Sequence, residues 1–227
     1  MSKRLVPRIA PSILSADFNH LQRSCAHVLT ATDTLHLDVM DGHYVPNLTI
    51  GPAIISALRT AFPRPNTFFD CHLMVQDIQK WIEPFHKAGA DQISFHVETV
   101  PDPQVIIDAI HQRGMRASLV LSPDIPVDRV FPYLDRIDQV LVMTVYPGFG
   151  GQKFMATCLD KVRVLREKMP LLEIQVDGGL DTDTVHEAAK AGANGIVAGT
   201  AIFSAKDPLL VIQQLRDTVQ HYLDLKQ

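Results

Sequence analysis

The segment that decides the fold is QVLVMTVYPGFGGQKFMATCLDKVRVLREKMPLLEIQVDGG, residues 139–179. It begins with the apolar run Gln139–Thr144, passes through a glycine-rich loop into the helical pattern Cys158–Glu167, and ends on a second apolar run, Glu173–Val176. The apolar letters VLVM are continuous instead of alternating, which is typical of a parallel strand buried on both faces. This segment therefore predicts a strand, a crossover helix and a second parallel strand.

The same unit recurs along the whole chain. The predicted strands are Arg8–Ile13, Thr34–Val39, Thr67–Met74, Gln92–His96, Ala117–Leu121, Gln139–Thr144, Glu173–Val176 and Gly195–Ala198. The predicted helices include Asp17–Leu29, Ile54–Ala61, Ile78–Ala88, Gln104–Arg113, Cys158–Glu167, Thr182–Ala191 and Pro208–Leu225. Eight βα units are the number that closes an α/β (β/α)8 (TIM) barrel. An open doubly wound sheet is the competing arrangement, but no linker or composition shift divides the 227 residues, so we expect one domain over 1–227.

Composition and charge exclude several classes of partner. The chain has 21 basic and 25 acidic residues, and the basic ones are scattered without a run of four or more. We therefore expect neither a nucleic-acid partner nor a membrane partner. Cys25, Cys71 and Cys158 are odd in number and lack a CxxC spacing, which favours a reducing compartment. The N-terminus lacks the apolar run of a signal peptide, so we expect a cytoplasmic protein.

Chemically active side chains cluster at the ends of the predicted strands. His36 and Asp38 close the second strand, His72 lies near the end of the third, and Asp177 follows the seventh. Residues i and i+2 of a strand share a face, so His36 and Asp38 both point into the barrel. On the third strand Asp70 shares the face of His72, and we expect it to hold the second nitrogen of that ring.

Two imidazoles and two carboxylates at one end of a barrel form a mixed nitrogen and oxygen ligand set. Such a set suits one divalent ion of the Zn²⁺, Fe²⁺, Mn²⁺ or Co²⁺ type. Taken singly, His36 or His72 is better explained as a buried, hydrogen-bonded side chain. The four groups together favour a metal or catalytic role, because burying them unpaired would cost several kcal/mol.

Glycine-rich turns form a second group of candidate residues. They are Gly148, Phe149, Gly150 and Gly151 after strand six, Gly178 and Gly179 after strand seven, and Gly199 and Thr200 after strand eight. Main-chain N–H groups in such turns can approach an anion closely, and barrels commonly bind phosphate after strands seven and eight. The segment after strand six lacks the third glycine of a dinucleotide motif, so phosphate is favoured over NAD. Met40, Met74 and Met143 lie at or near strand ends, where they could equally be core residues or a cap over the site.

At these residues the sequence resembles the ribulose-phosphate 3-epimerase family. The matching segments are Ile9–Phe18, His36–Pro52, Cys71–Val75, Met143–Phe154, Val176–Gly179 and Val197–Phe203. The resemblance implies a barrel of the ribulose-phosphate-binding type, which uses one divalent metal to interconvert D-ribulose 5-phosphate and D-xylulose 5-phosphate in the pentose phosphate pathway. It implies a small sugar phosphate as substrate, and we expect a homo-oligomer, with a dimer favoured.

The resemblance also assigns roles residue by residue. The implied metal ligands are His36, Asp38, His72 and Asp177, and the implied acid and base are Asp38 and Asp177. The implied substrate contacts are Ser12, His72, Phe149, Asp177, Thr200 and the glycines at 148, 150, 151, 178, 179 and 199. Epimerisation of a six-carbon ketose phosphate would use the same groups. A phosphate-binding barrel decarboxylase needs a lysine that the third strand lacks, and a non-catalytic scaffold predicts a broken ligand set.

Overall fold

A computed structural model describes residues 4–225, and within them eight parallel strands form a barrel. The strands are β1 Arg8–Pro11, β2 Thr34–Met40, β3 Phe68–Met74, β4 Gln92–His96, β5 Arg116–Leu121, β6 Gln139–Met143, β7 Glu173–Asp177 and β8 Gly195–Ala198. From β2 to β8 each strand pairs in parallel with the next, and β1 pairs with β8. A parallel bridge between Ser12 and His36 joins β1 to β2 and closes the ring. The predicted (β/α)8 fold class is confirmed.

Helices surround the strands. They are α1 Leu21–Val28, α2 Pro52–Ala61, α3 Gln79–Ala88, α4 Pro103–His111, α5 Leu159–Lys168, α6 Thr184–Ala191, α7 Thr200–Phe203 and α8 Pro208–Asp224. The connection between β5 and β6 is instead a 3-10 helix, Val127–Tyr133, which contains Pro132. Proline removes a main-chain donor and disfavours an α-helix at that point. Within residues 4–225, no helix is long and apolar enough to span a membrane.

Two predicted boundaries at the start of the chain are wrong. The strand predicted over Arg8–Ile13 ends at Pro11, because the Ser12 hydroxyl accepts the N–H of Leu14 at 3.3 Å and caps a 3-10 turn. The helix predicted from Asp17 begins at Leu21, because Asp17 caps a second 3-10 turn over Phe18–His20. Short polar side chains at these positions compete for main-chain donors and delay the helix. As a result, Ser12 sits in the turn that follows β1.

The strands separate an apolar layer from a polar interior. On β2, Leu35 and Leu37 pack in the main hydrophobic core, which places the alternate residues His36 and Asp38 inside the ring. The interior holds a belt of buried polar side chains: Asp70, Gln92, Ser94, Ser118, Gln139 and Gln175. Gln92 donates to Asp70 at 2.9 Å and to Gln139 at 2.6 Å, and Gln139 donates to Gln175 at 2.6 Å. These bonds satisfy polar groups that would otherwise destabilise the interior.

The barrel has two different ends. We call "the mouth" the end where Met40, Met74, Met143 and Asp177 finish their strands, and "the base" the end where Arg8, Phe68, Arg116 and Glu173 begin theirs. At the base, Glu173 accepts from Arg116 at 2.6 Å and lies 3.4 Å from Arg8. The guanidinium groups of Arg8 and Arg116 lie 5.6 Å and 5.8 Å from the centre of the Phe68 ring. Charge pairing and cation–π contact therefore close the base.

Arg59 on α2 forms a clamp next to the base. Its guanidinium donates to the carbonyl of Gly89 at 3.0 Å, to the carbonyl of Thr67 at 2.8 Å and to the carboxylate of Asp91 at 2.5 Å. Gly89 ends α3 in the left-handed region, with φ of 99°. The clamp thus ties together the end of α2, the start of β3 and the turn from α3 to β4.

Arg166 on α5 repeats this clamp on the other side of the barrel. It donates to the carbonyls of Gly192 at 2.9 Å and Leu172 at 2.6 Å, and to the side-chain oxygen of Asn194 at 3.1 Å. Gly192 ends α6 with φ of 119°. The surrounding sequences are KAGAD at 87–91 and KAGAN at 190–194. In both halves of the barrel, an arginine therefore holds the glycine turn that joins a helix to the next strand.

Candidate active site

Four side chains meet inside the mouth. His36, Asp38, His72 and Asp177 each offer one nitrogen or oxygen, and these atoms all lie within 4.8 Å of one another. The Asp38 Oδ1 atom is 3.3 Å from His36 Nε2 and 3.2 Å from His72 Nδ1. The register of β2 and β3 sets Asp38 opposite His72, and Asp177 reaches the group from β7. The strand pairing therefore brings together the four residues predicted to be metal ligands.

The electrostatics of β2 favour an ion pair between His36 and Asp38. Burial alone would lower the pKa of His36, but the carboxylates of Asp38 and Asp70 outweigh it and hold that pKa well above its usual value. Burial alone would raise the pKa of Asp38, but the positive charge of His36 outweighs it, and that pKa lies far below its usual value. Asp38 is therefore an ionised carboxylate at neutral pH.

Asp177 differs from Asp38 in its protonation. Burial, followed by the negative charge of Asp38, raises the pKa of Asp177 to about 7. One carboxyl of the pair is thus ionised, while the other holds a proton close to neutral pH. Two carboxyl groups with separated pKa values are the usual arrangement for an acid and a base in one site.

The site fits a divalent cation. His36 Nε2 is buried and lies 3.3 Å from Asp38 Oδ1 and 3.8 Å from Asp177 Oδ2, without a well-aligned hydrogen bond to either. A cation bound there would displace the proton that His36 carries in its charged pair and would take the lone pair of Nε2. Two imidazoles and two carboxylates are ligands for a borderline divalent ion.

Asp70 orients a different histidine from the one predicted. Its carboxylate lies 2.8 Å from Nδ1 of His36, and not on the second nitrogen of His72. The parallel register explains the error, because it sets Asp70 opposite His36 and leaves His72 opposite Asp38. A carboxylate on Nδ1 leaves Nε2 of His36 to face the other ligands.

A cavity of about 100 Å³ lies over the four residues. Its lining includes Ser12, Asp38, Met40, Met74, Met143, Gly148, Phe149, Gly150, Gly151, Asp177, Gly178, Gly179, Gly199 and Thr200. His36 and His72 have no exposed surface and lie among the residues beneath this cavity. The placement of His72 therefore supports a ligand role more than the predicted contact with substrate. No lysine or arginine lines the cavity within the described chain.

The methionines form the apolar part of this cavity. Met40 and Met74 pack together in a small cluster separate from the main core, and Met143 belongs to another. All three are at most 4% exposed and line the space next to Asp38 and Asp177. Their apolar side chains keep water away from the carboxylates, which is the environment that raises the pKa of an acid.

Comparisons with known proteins agree with this geometry. The model of the ribulose-phosphate 3-epimerase family matches residues 8–203. The chain belongs to the ribulose-phosphate 3-epimerase family. It is 50% identical over 226 residues to ribulose-phosphate 3-epimerase of Eremothecium gossypii, covering 96% of this chain and 95% of the relative. It is 47% identical over 225 residues to the cytoplasmic isoform of Oryza sativa, covering 97% of each chain.

Solved structures support the fold of this epimerase. KGPDC from Streptococcus mutans has a TM-score of 0.73 at 19% identity, over 96% of this chain and 99% of that one. The 3-hexulose-6-phosphate synthase of Salmonella typhimurium has a TM-score of 0.71 at 17% identity, over 96% of this chain and 99% of that one. Likeness at this level of identity shows a shared barrel.

Two different physical constraints explain the glycines at 179 and 199. Gly179 has φ of 68°, and a Cβ there would lie 2.7 Å from the main-chain nitrogen of Phe154. Gly199 has φ of −104°, so its backbone does not require glycine. A Cβ at Gly199 would instead lie 2.6 Å from the hydroxyl of Ser15. Close approach, and not backbone conformation, explains the glycine at 199.

Sequence reasoning missed two residues at or behind the candidate site, Ser15 and His96. Ser15 lines the cavity with its hydroxyl 3.4 Å from that of Thr200. His96 lies behind the site, with its Nε2 atom 2.9 Å from His72 Nε2. His96 ends β4, so attention to strand ends would have selected it along with His36 and His72.

Proposed function

We propose that this epimerase interconverts D-ribulose 5-phosphate and D-xylulose 5-phosphate with one divalent metal ion, as a step of the pentose phosphate pathway. The observation that carries the proposal is the pair of carboxyl groups, Asp38 and Asp177, that line one cavity beside two buried imidazoles. Inverting a carbon next to a carbonyl requires one group that takes a proton and another that returns one to the opposite face.

The two carboxyl groups divide this work. Asp38 accepts the hydroxyl proton of Ser12 in a hydrogen bond of 2.5 Å, which fixes the direction of its carboxylate. As the base, Asp38 takes the C3 proton of one epimer and leaves an enediolate. Asp177 then returns a proton from the other side, and the roles exchange in the reverse reaction. Both groups touch the cavity, so each can reach the substrate.

His36, Asp38, His72 and Asp177 would hold the metal ion. When bound, a divalent cation would polarise the substrate carbonyl and stabilise the negative charge that develops on its oxygen. Asp70 fixes the His36 ring, and the three methionines exclude water from the carboxylates. These contacts set the geometry before the substrate arrives, which is the main requirement for electrostatic catalysis.

Main-chain groups would bind the phosphate. The turns at Gly178 and Gly179 and at Gly199 and Thr200 line one cavity with the loop Gly148–Gly151. Glycine turns place N–H donors close to an anion without burying a cationic side chain. Asn47 donates to the carbonyl of Gly148 at 2.7 Å, and this bond anchors the loop that would close over the sugar. Phosphate contacts far from C3 would supply the energy that orders this loop.

The cellular setting is part of the same proposal. We expect a cytoplasmic enzyme, as for the rice relative named a cytoplasmic isoform. A homo-oligomer, with a dimer favoured, stays a prediction that measurement of the molar mass in solution would test.

A coupled assay tests the proposal. Purified protein would be offered D-ribulose 5-phosphate and D-allulose 6-phosphate, each with and without a chelator and with Zn²⁺, Mn²⁺ or Co²⁺ added back. We expect turnover of the pentose phosphate to exceed that of the hexose phosphate, to stop with the chelator and to return with the metal. A preference for the hexose phosphate would overturn the substrate assignment. Full turnover in metal-free protein would overturn the metal dependence.

A further inference from the structure

A chain of hydrogen bonds leads from His72 away from the cavity. His72 Nε2 lies 2.9 Å from His96 Nε2, and His96 Nδ1 lies 2.9 Å from the Ser122 hydroxyl. The Ser122 hydroxyl donates to Glu98 Oε1 at 2.6 Å, and the Tyr44 hydroxyl donates to the same oxygen at 2.8 Å. Both imidazoles have no exposed surface. The proposed reaction gives no task to Glu98, Ser122 or His96.

The direction of this chain follows from its last member. Glu98 is an acceptor only, because hydrogen bonds from His96 and Ser122 outweigh burial and bring the pKa of this carboxyl to about 2. Ser122 has a single proton and gives it to Glu98, so it must accept the bond from His96. His96 therefore carries its proton on Nδ1 and has a lone pair on Nε2.

The same reasoning fixes the proton of His72. Two neutral imidazoles that meet through their Nε2 atoms need one donor and one acceptor. His96 is the acceptor, so His72 carries its proton on Nε2 and has its lone pair on Nδ1. Nδ1 is the atom that lies 3.2 Å from Asp38 and 3.9 Å from Asp177. In the other tautomer, His72 would direct an N–H at the position of the cation.

We propose that Glu98, acting through Ser122 and His96, is a positioning residue that holds His72 in the tautomer whose Nδ1 lone pair faces the metal site. This inference rests on the proposed function only in taking His72 as a metal ligand. Partners of this kind behind a ligating histidine typically change metal affinity by about 10- to 100-fold when they are removed. His36 has its own partner in Asp70, so each ligating imidazole is fixed by a separate carboxylate.

The test compares variants that keep or remove the acceptor. Glu98→Leu removes it, Glu98→Gln keeps a carbonyl oxygen in its place, and Tyr44→Phe removes only a donor to it. The proton positions of His72 would be measured by ¹⁵N–¹H long-range correlation in ¹⁵N-histidine-labelled, metal-free full-length protein, with His72→Gln for assignment. The affinity for Co²⁺ would be measured by competition with a chelator. Circular dichroism would confirm that each variant is folded.

We expect His72 to be protonated on Nε2 in the wild type, in Tyr44→Phe and in Glu98→Gln. In Glu98→Leu we expect a detectable population protonated on Nδ1 and an affinity for Co²⁺ that is about 10-fold weaker or more. If Glu98→Leu does not fold, His96→Phe and His96→Gln allow the same comparison at the residue that contacts His72 directly. The Gln side chain can accept a hydrogen bond from His72 Nε2, whereas the Phe side chain cannot. Wild-type tautomer and affinity in folded Glu98→Leu or His96→Phe would overturn the inference. A wild type that binds no Co²⁺ would overturn the metal-dependent function, while the proton positions would still test the role of Glu98.

Discussion

The mouth and the base of the barrel are built from the same eight strands, yet they treat polar groups in opposite ways. At the mouth, burial and neighbouring charges move the pKa values of Asp38 and Asp177 in opposite directions. Near the base, Arg59 and Arg166 each donate to several carbonyl and side-chain oxygens. In TIM barrels the C-terminal end of the strands typically carries the reaction and the opposite end carries stability.

This difference indicates that the residues needed for the reaction and the residues needed for stability lie at opposite ends of the barrel. At the mouth, burial of Asp177 beside the ionised Asp38 raises the pKa of Asp177, and holding two buried carboxyl groups together costs stability in the free protein. The base pairs its charges within the protein. Variants at the mouth should therefore change activity with little effect on folding, and variants at the base should do the reverse.

The largest effect on the epimerisation rate is expected from changes to the two carboxyl groups, Asp38 and Asp177. Asp38→Asn and Asp177→Asn should each lower the epimerisation rate by about 10³-fold or more, because general acid and base groups contribute about 10²- to 10⁴-fold each. One variant can still exchange the C3 proton of one epimer with solvent deuterium, since the other carboxyl group is intact. Rate, deuterium exchange and metal content would be measured together. Near-normal turnover in a metal-replete variant would refute the two-carboxyl scheme.

A smaller effect is expected where the phosphate would bind. Gly199→Val would place a Cβ 2.6 Å from the Ser15 hydroxyl, so the turn should move and lose main-chain contacts to the anion. We expect kcat/KM for ribulose 5-phosphate to fall about 10- to 100-fold, mainly through KM, which corresponds to one or two hydrogen bonds to a charged group. Gly51→Ala is the matched control, because no atom lies within 4 Å of its added Cβ. An equal loss for unphosphorylated ribulose would assign Gly199 to barrel packing.

At the base we expect a loss of stability without a loss of activity. Arg166→Met removes the donor that serves Gly192, Leu172 and Asn194. The free energy of unfolding should fall by about 3 kcal/mol, equivalent to about 6–12 °C in Tm for a chain of this size. Arg163→Met is the control on the same helix, since Arg163 is exposed and pairs only with the nearby Asp160 in the contacts described. A loss of kcat/KM beyond about 2-fold in Arg166→Met would break the separation of the two ends.

A further prediction concerns the pH dependence of stability in the metal-free protein. An aspartate carboxyl has an ordinary pKa of 3.8, and burial raises the pKa of Asp177 to about 7 in the folded state. The folded state thus holds this proton more tightly, so its stabilising contribution is complete below about pH 4 and is lost as pH rises through about 7. The free energy of unfolding of the wild type should therefore fall relative to Asp177→Asn between about pH 4 and pH 8. Parallel pH curves for the two proteins would contradict the raised pKa.

Most of the fold could be predicted from local pattern. Continuous apolar runs identify strands such as β6, because a parallel strand covered by helices needs apolar residues on its outer face. The pattern failed where single side chains decide the backbone. Ser12 ends β1 early by capping a 3-10 turn, and Asp17 caps a second one that delays the first helix.

The four ligand candidates could also be predicted, because alternation along β2 places His36 and Asp38 on one face. The hydrogen-bond partners of these four residues could not be predicted. Whether Asp70 meets His36 or His72 depends on the register of two strands, which the sequence of either strand alone does not contain. The chain from His72 to Glu98 needs β3, β4 and the turn after β5 to meet, so only three-dimensional structure reveals it.

The central claim is that the cation at the mouth is needed for the reaction and not for the fold. The most direct test is to follow epimerase activity and thermal unfolding of one sample before chelation, after chelation and after metal is returned. We expect turnover to be lost and regained, with the far-UV circular dichroism unchanged. The Tm should fall by only about 5–10 °C, as binding linkage predicts for a metal at about a hundred times its Kd. Unfolding on chelation, or undiminished turnover without metal, would contradict the claim.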